Sequence, residues 1–121
     1  MPYSVSFDDK DGIVYVTISG PAVKDDHYAA RDESFKLCQD NVCSRLLVDL
    51  RELDASAFSS MGCFTFGEAL AKSPLRLRIA HVLPTDTKSA AQVIFTSTIE
   101  ANRGKSTGVF KTTEEAIQWL L

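Results

Sequence analysis

Three serines follow a short apolar run in the segment RLLVDLRELDASAFSSMG, residues 45–62. Ser56, Ser59 and Ser60, with Asp54 before them, could bind an anion or accept a phosphate if a helix begins here. A helix N-terminus supports both, because its free N–H groups and its dipole favour negative charge. Serine is also preferred at this position as a purely local helix cap. We therefore expect a cap, with an anionic or small polar ligand as the alternative.

Polar side chains also occur in the loops that follow the predicted strands. His27 and Arg31, one helical turn apart, could line a small polar pocket with the rim residues Asp54, Thr85, Asp86, Thr87 and Lys88. An ordinary solvated rim is the simpler interpretation, because no nucleophile, base and orienting third group can be assigned among them. His81 lies within an apolar strand, which favours a hydrogen-bonded core histidine over a ligand.

The cysteines predict neither a disulfide framework nor a zinc site. Cys38, Cys43 and Cys63 form an odd number without a C-x-x-C pair, so we expect reduced thiols, mostly buried. The segment GKST at 104–107 lacks the glycine that a phosphate-binding loop needs five residues earlier, where Ile99 stands. We expect no cofactor and no metal.

Composition and charge exclude several classes of partner. The 121 residues include 13 basic and 16 acidic side chains, with a net charge of −3 and no long block of one sign. This argues against nucleic acid and anionic lipid as main partners. The chain has no run of eighteen apolar residues and no basic start followed by an apolar segment. We expect a soluble, cytoplasmic protein with a single domain, residues 1–121.

The periodicity of apolar residues predicts nine elements in the order β β α β α β α β α. This order predicts an α/β fold, a single-domain mixed five-stranded sheet in which an opening hairpin is followed by parallel crossovers, flanked by four helices. Asp25 or Asp26 is expected to cap the first helix, and Thr112 with Glu115 forms a capping box for the last. The loops after the strands should meet at one end of the sheet. The predicted strands span residues 3–7, 13–19, 45–50, 77–83 and 106–110, and the predicted helices 25–39, 59–72, 89–102 and 114–121.

Four segments together resemble the SpoIIAA-like branch of the STAS superfamily, the sulfate transporter and anti-sigma-factor antagonist domains, which are related to Sec14-type lipid-binding domains. They are a strand ending in SG, then RLLVDLREL, RIAHVLP and GVFKTTEEAIQWL. The resemblance implies a binding or regulatory role without catalysis. In the antagonists, an Asp-Leu strand end leads to an Asp-Ser-Ser-Gly turn whose first serine is phosphorylated. Here Asp49-Leu50 matches, whereas the later turn reads FSSMG, without the aspartate and with a methionine before the glycine.

Two helices carry more apolar residues than one buried face requires. On the second of them, Phe95 and Ile99 are predicted to lie opposite Val93 and Ile94. Either the surplus residues of the two helices pack together, or they form a homodimer surface or an apolar pocket for a lipid-like ligand. The surplus residues are Met61, Phe64, Phe95 and Ile99.

These observations lead to three functional hypotheses. The first is a non-catalytic regulatory or binding module that forms a homodimer and binds a regulatory protein or a small ligand. The second is a carrier of an apolar or lipid-like molecule. The third, which the residues favour least, is an enzyme that uses Cys63 or a serine of the rim.

Overall fold

The chain opens with the predicted hairpin. In the computed structural model, which describes residues 2–55 and 59–121, β1 (Tyr3–Asp8) pairs antiparallel with β2 (Ile13–Ile18). Gly12 in the connecting turn has a φ of +67°, a conformation that glycine adopts without a steric penalty. Asp8 and Ile13 form the last pair before the turn.

The remaining elements complete a five-stranded sheet in the order β1-β2-β3-β4-β5, in which β2 to β5 are parallel. The α/β fold predicted from the sequence is confirmed. Each predicted element is present with ends shifted by at most two residues. The elements after the hairpin are α1 (Lys24–Asp40), β3 (Arg45–Asp49), α2 (Ser60–Ala71), β4 (Arg78–Val82), α3 (Thr87–Asn102), β5 (Ser106–Phe110) and α4 (Thr113–Leu120).

The predicted aspartate cap of α1 is wrong. The residue at the cap position is Val23, because the helix already begins at Lys24. Asp26 instead lies within the first turn, where its Oδ2 accepts a hydrogen bond from the backbone N–H of Val23 at 2.9 Å. The carboxylate thus stabilises the start of α1 from inside the helix, where its charge complements the helix dipole.

The two faces of the sheet are covered by different helices. One face carries Val16, Leu46 and Ile79 and lies beneath α1, α2 and α3. The other face carries Leu47 and Ala80, and it packs against α4. The fold therefore has two apolar layers, of which the layer beneath the three helices is the larger.

Helices α2 and α3 pack closely at Gly67. A methyl group at this position would lie 3.0 Å from Ile99 Cβ and 3.2 Å from the carbonyl oxygen of Thr96. Ile99 is therefore buried in the contact between the helices, whereas Ile94 is exposed. Val93 and Ile94 were predicted to lie together, opposite Ile99, and this grouping is wrong. Val93 and Ile99 are both buried, because the side of α3 that contacts the sheet is adjacent to the side that contacts α2, and Ile94 is left exposed.

Candidate functional site

The loops after β2, β3 and β4 meet at one end of the sheet, as predicted. The N–H of Gly20 donates to the carbonyl of Glu52 at 2.9 Å, and the N–H of Asp54 donates back to the carbonyl of Gly20 at 3.0 Å. The N–H of Thr85 reaches the carbonyl of Arg51 at 3.4 Å. Backbone hydrogen bonds therefore hold the three loops together beside the candidate residues.

The serine turn caps a helix. Ser59 is the N-cap of α2, and its hydroxyl accepts a hydrogen bond from the N–H of Gly62 at 2.9 Å, so the predicted cap is confirmed at this position. Ser60 is the exposed first residue of the helix. The prediction for Ser56 lies outside the described residues. Ser59 thus has a structural role that is independent of any ligand.

The predicted rim residues form an exposed edge. Asp54, Thr85, Thr87 and Lys88 are all exposed to solvent. Asp86 caps α3 by accepting a hydrogen bond from the N–H of Ser89 at 2.9 Å, and this bond lowers the pKa of Asp86. The buried hydroxyl of Ser89 in turn accepts the N–H of Ala55, also at 2.9 Å. The described part of this rim ties the start of α3 to the loop after β3.

A cavity of about 90 Å³ lies between the sheet and the helices α1, α2 and α3. Its walls are almost wholly apolar, and its polar lining residues include His27, Arg31 and His81. A polar pocket shared by His27, Arg31 and the rim residues was the alternative to a solvated rim, but His27 and Arg31 line this cavity without Thr85, Asp86, Thr87 or Lys88. The apolar lining includes Val16, Leu46, Ile79, Phe66, Leu70 and Val93.

The cavity does not use the surplus apolar residues of α2 and α3. Its lining contains none of Met61, Phe64, Phe95 and Ile99, for which an apolar pocket was one of the alternatives. The reason is the orientation of the two helices. Phe66 on α2 and Val93 on α3 lie on other sides of these helices, and they line the cavity.

His27 is a neutral, buried member of the cavity wall. Its ring packs edge-to-face on Phe66, with the ring centroids 5.7 Å apart. Burial lowers the pKa of His27 to about 4, and the nearby charge of Asp26 opposes this only in part. Arg31 lies 4.8 Å from the Tyr28 ring and forms an ion pair with Asp32 at 2.8 Å. The guanidinium charge is therefore balanced on the outer side of α1.

A buried pair of ionisable side chains lies beside the cavity. His81 Nε2 on β4 is 3.2 Å from Glu100 Oε1 on α3, and both side chains are buried. The direction of this contact is too oblique for a hydrogen bond, although its length is that of an ion pair. His81 is a core residue, as predicted, but the predicted hydrogen bond is wrong, because neither ring nitrogen has a hydrogen-bond partner among the described residues. Glu100 was not predicted as part of a site. Helical spacing could have predicted that Glu100 is buried, since it follows the buried residues Val93 and Ser97 on the same side of α3.

Burial makes the thiols of Cys38 and Cys63 poor nucleophiles. Burial raises the pKa of Cys38 to about 12 and also raises the pKa of Cys63. Cys43 Sγ donates to the carbonyl of Gly12 at 3.1 Å.

Over residues 2–55 and 59–121, no cluster of three or more His, Cys, Asp or Glu side chains is arranged to hold a metal ion. Within the same ranges, no helix combines the length and the apolar character needed to cross a membrane.

An open depression at the opposite end of the sheet is lined by Arg76, Arg78 and Lys105. Two of these cations connect parts of the fold. Lys105 Nζ donates to the carbonyls of Ser73, at 2.5 Å, and Leu75, at 3.4 Å, and the guanidinium of Arg78 lies 4.3 Å from the Trp119 ring. Lys105 and Arg78 therefore have structural partners within the protein.

No protein-family model matches the chain, and no curated protein is similar to it at a significant level. The resemblance to the SpoIIAA-like branch of the STAS superfamily therefore stays a prediction. The cavity and the buried His81–Glu100 pair are the starting points for the proposals below.

Proposed function

We propose that this protein is a non-catalytic binding module that holds a small, mainly apolar molecule in the cavity between its sheet and the helices α1, α2 and α3. The observation that carries the proposal is the cavity itself, about 90 Å³ with almost wholly apolar walls. Protein interiors are close-packed and contain few voids larger than a water molecule. A cavity with apolar walls can bind an apolar molecule.

The size of the cavity restricts the ligand. A cavity of about 90 Å³ is well below the roughly 300–1,000 Å³ of typical drug-sized ligand pockets. This favours a compact molecule with few heavy atoms. A carrier of a long-chain lipid is the alternative, and it would require α2 or α3 to move away from the sheet.

Two further points support binding without catalysis. Burial raises the pKa of both Cys38 and Cys63, which disfavours the reactive thiolate at neutral pH. The resemblance to the SpoIIAA-like domains implies the same kind of role, and it also implies a regulatory protein partner near the turn that ends at Gly62.

Filling the cavity tests the proposal. Benzene, a compact apolar probe, should shift the methyl NMR signals of Leu70 and Val93 in the wild-type protein. Ala30 is buried in the cavity wall, so Ala30→Leu should fill the space and abolish these shifts. The control is Ala91→Leu, the same change at an exposed position of α3, which should bind as the wild type does. If saturating benzene causes no shift in the wild-type protein, the proposal is refuted.

A homodimer is the second candidate, favoured by exposed apolar side chains on α2 and α3. Met61 is 72% exposed and Phe95 is 38% exposed. The two helices run side by side, joined at their ends by an ion pair between Glu68 and Arg103 at 2.9 Å. Large apolar residues exposed on adjacent helices are typical of interaction surfaces.

Native mass spectrometry over a range of concentrations tests this second candidate. We expect a dimer that dissociates in Phe95→Asp and in Met61→Asp, because each change places a charge on the proposed surface. Val23→Asp is the control, since Val23 is the exposed N-cap residue of α1 and does not belong to α2 or α3, and aspartate suits a cap position. A wild-type protein that is monomeric at every concentration would exclude the dimer.

A further inference from the structure

The His81–Glu100 pair is the most polar feature in the core. Glu100 is 0% exposed and His81 is 6% exposed, and His81 lines the cavity. An isolated buried carboxylate carries a large desolvation penalty, so Glu100 depends on the imidazole that faces it at 3.2 Å. The pair therefore positions the His81 ring against the sheet side of α3.

The contact with Glu100 also determines which ring nitrogen of His81 holds the proton in the neutral form. Their contact is too oblique for a hydrogen bond, but the negative charge of the Glu100 carboxylate, 3.2 Å from Nε2, favours the proton on that nitrogen over Nδ1. Nδ1 is then an acceptor. Among the described residues it has no hydrogen-bond partner, although it is buried. A buried acceptor without a partner is costly and uncommon in folded proteins.

We infer that the ligand of the cavity carries a single hydroxyl group that donates a hydrogen bond to Nδ1 of His81. The ligand is thus a compact apolar alcohol or phenol, whose body fills the apolar walls while its hydroxyl satisfies the imidazole. Glu100 is a positioning residue, because it acts on the ligand only through His81. This inference rests on the proposed function and adds the chemical class of the ligand.

A neutral hydroxyl fits this site better than an anionic group. A ligand carboxylate would bring a second negative charge close to Glu100 in a region of low dielectric constant, where repulsion between like charges is strong. Arg31, the cation that lines the cavity, is already paired with Asp32 at 2.8 Å. A purely apolar ligand, in turn, would leave Nδ1 without a partner.

Phenol and benzene form a matched pair of probes, since they differ by one hydroxyl group. Phenol should bind the wild-type protein roughly threefold to tenfold more tightly than benzene, the range that one net hydrogen bond contributes. His81→Phe should bind benzene and lose this preference for phenol. His27→Phe is the control, because it changes the other histidine of the cavity wall and should keep the preference.

The ¹⁵N NMR signals of His81 give a second readout that needs no variant. The wild-type protein should show the tautomer protonated on Nε2, and phenol but not benzene should shift the Nδ1 signal. If benzene binds and phenol binds no more tightly, or if the Nδ1 signal does not respond to phenol, this inference is overturned while the proposed function stands. If neither probe binds, both the proposed function and this inference are refuted.

Discussion

Leu120 provides a direct test of whether α4 seals the second face of the sheet. Its side chain is 1% exposed and belongs to the apolar cluster that contains Ile13 and Leu47. The next residue, Leu121, is 61% exposed. The chain therefore offers two adjacent leucines, one buried and one exposed, for the same substitution.

The expected effect of Leu120→Ala follows from its burial. The change removes three buried carbon atoms, worth roughly 2.4 kcal/mol at about 0.8 kcal/mol each. Incomplete collapse of the resulting cavity raises the loss in the free energy of unfolding to about 3 kcal/mol. For a domain of this size, the melting temperature should fall by roughly 10 °C. Leu121→Ala should change the free energy of unfolding by less than about 0.5 kcal/mol, because the Leu121 side chain buries little surface.

Urea unfolding followed by tryptophan fluorescence measures this difference. Trp119 is the only tryptophan of the chain and lies on α4, where its ring centroid is 5.5 Å from that of Phe110. Its emission therefore reports on the contact between α4 and the sheet. If the two variants lose similar stability, or if Leu120→Ala loses less than about 1 kcal/mol, the packing of α4 described above is refuted.

Three further predictions concern other parts of the fold. His27 has a pKa of 6.5 in the unfolded chain and of about 4 in the folded protein, where it is buried. As the pH falls below 6.5, His27 therefore becomes protonated in the unfolded state before the folded state, and the free energy of unfolding decreases. Urea unfolding should show a loss of about 2 kcal/mol between pH 7 and pH 5, and this loss should disappear in His27→Gln; an equal loss in both proteins would contradict the burial of His27. Gly67→Ala should lower the stability by about 1 kcal/mol in thermal melts, since crowding against Ile99 outweighs the gain in helix propensity; a stabilised variant would show that α2 and α3 can separate easily. Thr112→Ala should cost about 1 kcal/mol by calorimetry, because the Thr112 hydroxyl accepts the N–H of Glu115 at 3.2 Å, and Thr112→Ser should keep this cap; equal losses in both variants would argue against the cap.

Much of the fold could be predicted because its signals are local. The apolar runs of β3 and β4, the cap at Ser59 and the capping box at Thr112 each depend on residues only a few positions apart. The alternation of strands and helices then restricts the topology, since crossovers between parallel strands follow few rules. The same rules predicted correctly that the loops after the strands meet at one end of the sheet.

The candidate site could not be predicted in the same way, because it depends on how each helix is rotated about its own axis. A small rotation of α3 about its axis decides whether Ile99 or Ile94 is buried, and the periodicity of apolar residues alone does not show which of the two it is. For the same reason, the cavity is lined by the side of α2 that carries Phe66, and Met61 is left exposed.

The order of the elements, the α/β class and the caps of α2 and α4 could be read from the sequence, since they follow from periodicity and from hydrogen bonds within a few residues. The folded structure was needed to show that His27 and His81 line one cavity and that Glu100 faces His81. Those contacts join residues that are far apart in the chain. Close packing of the helices on the sheet brings them together, and the small volume left between the two layers is the cavity.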